Sequence, residues 1–176
     1  LFALIYLQYA QRLGKPRWGD QSELLEKNAF RILRCYPNAQ FIHMLRDPRD
    51  RYEAVLHKSK RRGGVGAATS RWLYSAGLAT RNQQKYPLHY KVVRYENMVS
   101  QPEGTMYEVC QFLGEKYHPA MIRMEDEQRF VNHKLTGNRA QSSPLSTSYI
   151  GRFRENIPNH EIFFIQKLSE RYMKLF

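Results

Sequence analysis

The sequence predicts an α/β fold with a parallel sheet, and the order of its segments is what predicts it. Two short runs, QFIHML at 40–45 and HYKVVRY at 89–95, have the length and the β-rich composition of buried strands. Between and after them lie longer segments of helical period, several opened by proline and closed by glycine. Strand alternating with helix in this way gives a parallel α/β sheet.

The elements follow in order. Residues 1–13, LFALIYLQYAQRL, read as a helix with Leu1, Leu4, Ile5 and Leu7 on or near a buried face and Gly14 as its stop. An extended piece, KPRWGD, leads into a loop, and Ser22 is expected to cap a helix running to about Cys35, with Glu23 and Glu26 in its first turns. Tyr36-Pro37-Asn38 turns into the first strand, and a basic helix runs from Pro48 to about Arg62. Gly63-Gly64-Val65-Gly66 follows a helix rather than a strand, so it is a poor phosphate loop and reads as a hinge. Thr69 to Tyr86 is a helix carrying Trp72, Leu73, Ala76 and Leu78. The second strand ends at Tyr95, and Pro102 opens a helix that Gly114 closes. Residues 123–147 have little periodicity and a Gly137-Asn138 turn, the pattern of a long working loop. Pro158 opens a last helix over 161–175, with Ile162, Phe163, Ile165 and Leu168 inward.

Size and composition narrow the classes. The chain of 176 residues is 42% hydrophobic, enough for one globular domain spanning 1–176. Lys and Arg number 28 against 16 Asp and Glu, a formal net charge of +12, which attracts anions. The cations are dispersed, with one dense cluster at Lys58, Lys60, Arg61 and Arg62, so charge alone does not select nucleic acid. The apolar opening lasts only about ten residues, too short for a membrane span and without a charged leader. It reads as a helix that starts mid-fold, and the absence of Met and of a cap points to a fragment. Cys35 and Cys110 both sit in apolar-periodic segments and read as reduced core residues, which favours a reducing, cytoplasmic setting. No cysteine or histidine spacing suggests a metal site.

Function centres on FIHMLRDPRD, residues 41–50. Arg46 falls at the C-terminal end of a strand, where open α/β sheets bind ligands, and a planar guanidinium suits a phosphate there. The competing reading is that Arg46 and Asp47 neutralise each other in a surface loop. In STSYIGRFREN, Ser146, Thr147 and Ser148 offer hydroxyls and backbone N–H groups, Gly151 permits close approach, and Arg152 and Arg154 add charge. Together they would clamp a phosphate opposite Arg46, or they form a solvated Ser-rich loop. Tyr95, at a strand end, either packs against a base or belongs to the core.

GKPRWGDQS, FIHMLRDPRD, VVRYENMVSQPEGTMYEVCQFLG, HKLTGNRA and SYIGRFREN stand in the order and spacing of the sulfotransferase superfamily. The chain resembles its bacterial-type branch over nearly its whole length. That resemblance implies a P-loop NTPase-like three-layer fold, incomplete at the N-terminus because no Gly-Thr or Ser-Thr-rich phosphosulfate loop is found. It also implies transfer of a sulfuryl group from 3′-phosphoadenosine-5′-phosphosulfate to a hydroxyl or amine, without a metal.

Carried across, Arg46 matches the arginine on the nucleotide's 3′-phosphate, and Ala54 stands where a serine usually adds a bond, with Ser59 or the basic run as its replacement. Tyr95 matches the aromatic near the adenine, with Asn97 for the usual Asp. Ser146 to Gly151, with Arg152 and Arg154, resembles the loop that closes over the 3′-phosphate. In WGDQSE, Gln21 replaces a common Lys beside the transferred group, and Asp20 or Glu23 is the candidate general base. Each has a structural alternative, Asp20 as a cap and Glu23 as a helix N-terminal acid. Without donors aimed at the developing charge, these residues alone are expected to be nearly inactive. The partners expected are the nucleotide donor and an unidentified acceptor, with no nucleic acid and no membrane span in this chain. Two rival classes remain: a non-catalytic nucleotide- or polyanion-binding module, and a kinase relative whose Walker loop lies upstream.

Overall fold

The computed structural model describes residues 2–56, 64–123 and 145–176. The basic run at 58–62, Ser59, Gly63, most of the 123–147 segment and the HKLTGNRA motif lie outside them. Strand β1 (Phe41–Leu45) pairs in parallel with β2 (Tyr90–Arg94), Phe41 opposite Tyr90 and Leu45 opposite Arg94. Both strands are short and centred on apolar residues, and helices lie between them in the chain, as a parallel pair requires. They form the only sheet among the described residues.

Side-chain alternation on the strands builds the layers. Leu45 and Val92 face α4 (Val65–Lys85), where they pack with Trp72, Leu73 and Ala76, and with Tyr172 and Met173 of α8 (Asn159–Met173). Val93 faces the other way, onto Val109, Met106 and Leu113 of α6 (Pro102–Leu113) and Met98 of α5 (Tyr95–Ser100). Helix, sheet and helix are therefore stacked, the α/β layering that the sequence predicts. A third cluster gathers Tyr52 of α3 (Pro48–Leu56), Phe153 of α7 (Phe153–Asn156), Ile157 and Ile165. This cluster fastens the C-terminal segment to the helix that follows β1.

Several boundaries shift for local reasons. Helix α4 begins at Val65, four residues before the expected Thr69, because Gly64 is extended and acts as its N-cap. Tyr95 opens α5 instead of ending a strand. Ser22 caps nothing: a 3₁₀ turn spans Leu25–Asn28, and α2 follows over Ala29–Cys35. Gly114 does close α6, with φ 71° and its N–H bonded back to Gln111.

Burial departs further from pattern. In α1 (Phe2–Arg12), Leu4, Ile5 and Leu7 are exposed and Ala10 is the buried residue. Phe163 and Leu168 of α8 face outward, while Ile165 is wholly buried. Cys110 is buried, but Cys35 is exposed at the end of α2, so only one of the two thiols is a core residue.

Candidate functional site

The C-terminal ends of β1 and β2 meet a loop from the far end of the chain. Arg46 leaves β1 and donates from Nη2 to the Tyr149 carbonyl at 2.6 Å, spanning 103 residues. Its guanidinium lies 4.6 Å from the Tyr95 ring centre, and its own carbonyl accepts from the Trp72 indole at 2.8 Å. Arg46 has no carboxylate partner among the described residues, and its buried Nε has no hydrogen-bond partner. A small cavity of about 40 Å³ borders it, lined also by Asp47, Trp72, Arg94 and Glu96. A buried donor left unmatched costs roughly 1–3 kcal/mol, so this guanidinium is under-used by its own fold.

Asp47 does not neutralise Arg46. It takes Arg49 instead, accepting from its Nη2 at 2.7 Å and from its Nε and main-chain N–H, and this bonding raises the Arg49 pKa. The main-chain N–H of Asp47 donates to Glu96 at 2.8 Å, which joins the two strand ends. Tyr95 is half-buried, and burial raises its phenol pKa against the opposing charge of Arg46. It is thus a neighbour of the arginine, with its face committed to the guanidinium.

The loop itself is built differently from the expected clamp. Ser146 and Ser148 bond to each other through their hydroxyls at 2.7 Å, and the Ser148 N–H is taken by Ser146 Oγ. The N–H of Gly151 donates to Asp50 Oδ2 at 2.7 Å, and that of Phe153 to Asp50 Oδ1 at 3.2 Å. These three backbone donors are spent within the protein. Gly151 has φ +80°, and the space a Cβ would fill is taken by the Arg154 guanidinium. Its role is the left-handed turn and room for that arginine, rather than close approach of a ligand.

Four arginines lie against aromatic faces here. Besides Arg46 on Tyr95, Arg152 sits 5.4 Å from Tyr149, and Arg49 and Arg154 lie 4.3 Å and 4.7 Å from Phe153. Arg152 also reaches Glu53 at 3.5 Å. Arg154, like Arg46, has no carboxylate partner among the described residues.

Asp20 and Glu23 stand elsewhere. With Gln21 and Arg46 they line a wide cleft of about 2100 Å³, which the 146–154 loop and Tyr95 do not border. Arg46 is the predicted residue common to both places. Asp20 is exposed and accepts from Ser22 Oγ at 2.7 Å and from Tyr6 OH at 3.3 Å, so it caps no helix. Beside it Trp18 stacks on Tyr6 at 5.2 Å. Glu23 precedes the 3₁₀ turn, whose first-turn acid is Glu26, so the helix-acid alternative is not met.

Sequence reasoning missed two sets of hydrogen-bonded polar residues. Asp50 and Glu53 of α3 are 1% and 3% exposed, and both serve the C-terminal loop. Asp50 is an acid in a helix's first turn, a place that by itself points only to the helix dipole. The second set lines the cleft: His43 bonds Tyr90 OH at 2.7 Å through Nδ1 and Ser75 Oγ at 3.0 Å through Nε2, and Ser75 donates to Glu26 at 3.3 Å. Burial lowers the His43 pKa, with Glu26 opposing, so the ring is neutral. Ser75 gives its proton to Glu26, which leaves Nε2 as the protonated nitrogen and Nδ1 as the acceptor from Tyr90. The Tyr90 phenol is pushed up to about 12, chiefly by burial.

Together these features define a parallel α/β protein with an arginine at a strand end that has no carboxylate partner among the described residues, held against a hydroxyl- and arginine-bearing loop. The comparisons make the class specific. A family model described as Sulfotransferase family matches residues 1–119, and the chain belongs to that family. No curated protein matches it. Among solved structures, the sulfotransferase domain of the Synechococcus PCC 7002 olefin synthase is similar with a TM-score of 0.73 and 21% identity, covering 97% of this chain and 63% of that one. The sulfotransferase domain from the curacin biosynthetic pathway is similar with a TM-score of 0.65 and 16% identity, covering 96% of this chain and 66% of that one. The chain therefore spans less than two thirds of either neighbour's length, and at these identities the likeness shows the P-loop-like fold. Among the described residues no helix is long and apolar enough to cross a membrane, and no cluster of potential metal ligands is found.

Proposed function

We propose that this chain carries the nucleotide-holding part of a sulfotransferase that moves a sulfuryl group from 3′-phosphoadenosine-5′-phosphosulfate to a hydroxyl or amine. The observation that carries this is Arg46, a guanidinium at a strand end with, among the described residues, a buried Nε left unmatched and no carboxylate to neutralise it. A 3′-phosphate would supply the charge and the acceptors it lacks, and bidentate bonds of this type are strong. Arg154 and the hydroxyls of Ser146 and Ser148 are the other side chains for that phosphate. Arg152 adds charge from its place beside Glu53, Gly151 turns the loop, and Tyr95 holds the Arg46 plane.

The acceptor enters the cleft lined by Asp20, Glu23 and Arg46. Its oxygen or nitrogen attacks sulfur as the bond to the bridging phosphate oxygen breaks, and a carboxylate takes the proton. Glu23, exposed and outside any helix, is freer for that than Asp20, whose oxygens accept two hydroxyls. The reaction needs no metal, and two free thiols favour a reducing, cytoplasmic setting.

Calorimetric titration with adenosine 3′,5′-bisphosphate, with AMP as control, tests the reading. Selective binding of the bisphosphate is expected, weakened about tenfold or more in Arg46→Ala. Equal binding of both nucleotides, or full affinity in Arg46→Ala, would refute it.

A further inference from the structure

Two acids on one turn of α3 are more deeply buried than any other charged side chains described, Asp50 at 1% and Glu53 at 3% exposure. Acids are rarely buried unless paired, because desolvating a carboxylate is costly. Neither pairs with its own helix. Asp50 divides its two oxygens between the N–H groups of Gly151 and Phe153, at 2.7 Å and 3.2 Å. Glu53 Oε1 accepts from Asn156 Nδ2 at 3.0 Å and lies 3.5 Å from Arg152 Nη2. Every one of these partners lies in the short stretch 151–156, about a hundred residues further along the chain.

Charged acceptors of backbone N–H groups make strong, directional bonds. Two such bonds from one carboxylate fix the direction of the Ile150–Gly151 and Arg152–Phe153 peptide planes. The turn at Gly151 then sets where the Arg154 guanidinium lies, since it occupies the glycine's open side. Glu53 fixes Arg152 itself. At the other end of the loop, the Tyr149 carbonyl is held by Arg46.

We propose that Asp50 and Glu53 are positioning residues, which hold the 149–156 loop in the one register that brings Arg154 and Arg46 to bear on the same phosphate. This rests on the nucleotide reading above and deepens it. Neither acid touches the ligand: each acts through the loop, and Asp50 also withdraws two backbone donors from it. Discrimination for a 3′-phosphate is then a property of loop register, set by α3, as well as of the arginines themselves.

The test compares wild type with Asp50→Asn and Glu53→Gln by two measurements. An amide at 50 keeps one acceptor but turns an N–H₂ towards the second backbone donor, so amide hydrogen exchange over residues 145–157 should quicken while α4 and α6 stay protected. The ratio of affinities for adenosine 3′,5′-bisphosphate and AMP should fall about tenfold in Asp50→Asn, as one charge-assisted bond to the phosphate is misplaced. Asp50→Glu, which keeps the charge, should restore part of that ratio. A general loosening would weaken both nucleotides alike and leave the ratio unmoved. Glu53→Gln leaves Asp50 in place and carries the test should Asp50→Asn fail to fold. An unchanged ratio in folded variants of a selective wild type would overturn the positioning role alone. A wild type without selectivity would overturn the nucleotide reading, and this proposal with it.

Discussion

Gly151→Ala puts the turn geometry to a quantitative test. The residue has φ +80°, where an L-amino acid sets its Cβ against the backbone at a cost of roughly 1–2 kcal/mol. Here the new Cβ also meets the Arg154 guanidinium, which must leave its place 4.7 Å from the Phe153 ring, a loss of about 0.5–1 kcal/mol. The stiffer unfolded chain returns ~0.4–1 kcal/mol. The balance is a destabilisation of about 1–2 kcal/mol, or a melting point lower by roughly 2–8 °C for a chain of this size. Gly104→Ala is the control: Gly104 lies within α6 with nothing inside 4 Å of the added atom, so stability should rise by about 0.5–1 kcal/mol. Thermal and urea unfolding of both variants measure the difference. Repeating Gly151→Ala in an Arg154→Ala background should remove the side-chain part and leave the backbone part. Gly151→Ala melting with wild type, or the two glycine variants shifting in the same direction, would refute the turn.

Two further outcomes are expected. His43 is half-buried and its pKa is lowered by desolvation, so below its unfolded value of about 6.5 the unfolded chain binds the proton more readily. Stability should thus be complete above that pH and decline as pH falls towards the native pKa. His43→Gln should flatten this part of the curve, and an unaltered slope in urea titrations would show that the ring is not buried neutral. A thiol reagent should modify Cys35 in the native protein and Cys110 only after unfolding, so two fast-reacting thiols would contradict the burial.

The strands were legible because their signal is local. Phe41 to Leu45 and Tyr90 to Arg94 are compact, β-rich runs too short for a helix of their own, and Pro102 with Gly114 bracketed α6 by backbone chemistry alone. Arg46 was legible because its place at a strand end follows from the same run. What stayed hidden depends on partners far away in sequence. Nothing within RDPRD tells that Asp50 will meet Gly151 and Phe153, or that Asp47 will choose Arg49 over Arg46. Helical period shows that one face of α8 is apolar, but not that Ile165 is enclosed while Phe163 and Leu168 are left outside. For Gly151 the structure gives a feature the sequence could not supply: its open side belongs to Arg154.

The aromatic faces beneath Arg46, Arg49, Arg152 and Arg154 bear on how any anion would be received. A free arginine side chain samples many rotamers, and immobilising one on binding costs about 0.5–1.5 kcal/mol. A guanidinium already held over a ring has surrendered much of that freedom during folding. It also sheds part of its water there, since its faces are weakly hydrated while its edge keeps the N–H groups available. Lysine in any of the four places would carry the same charge but neither the plane nor the restraint. The cluster's selectivity for arginine is thus a matter of conformational entropy set before a ligand arrives, not of charge.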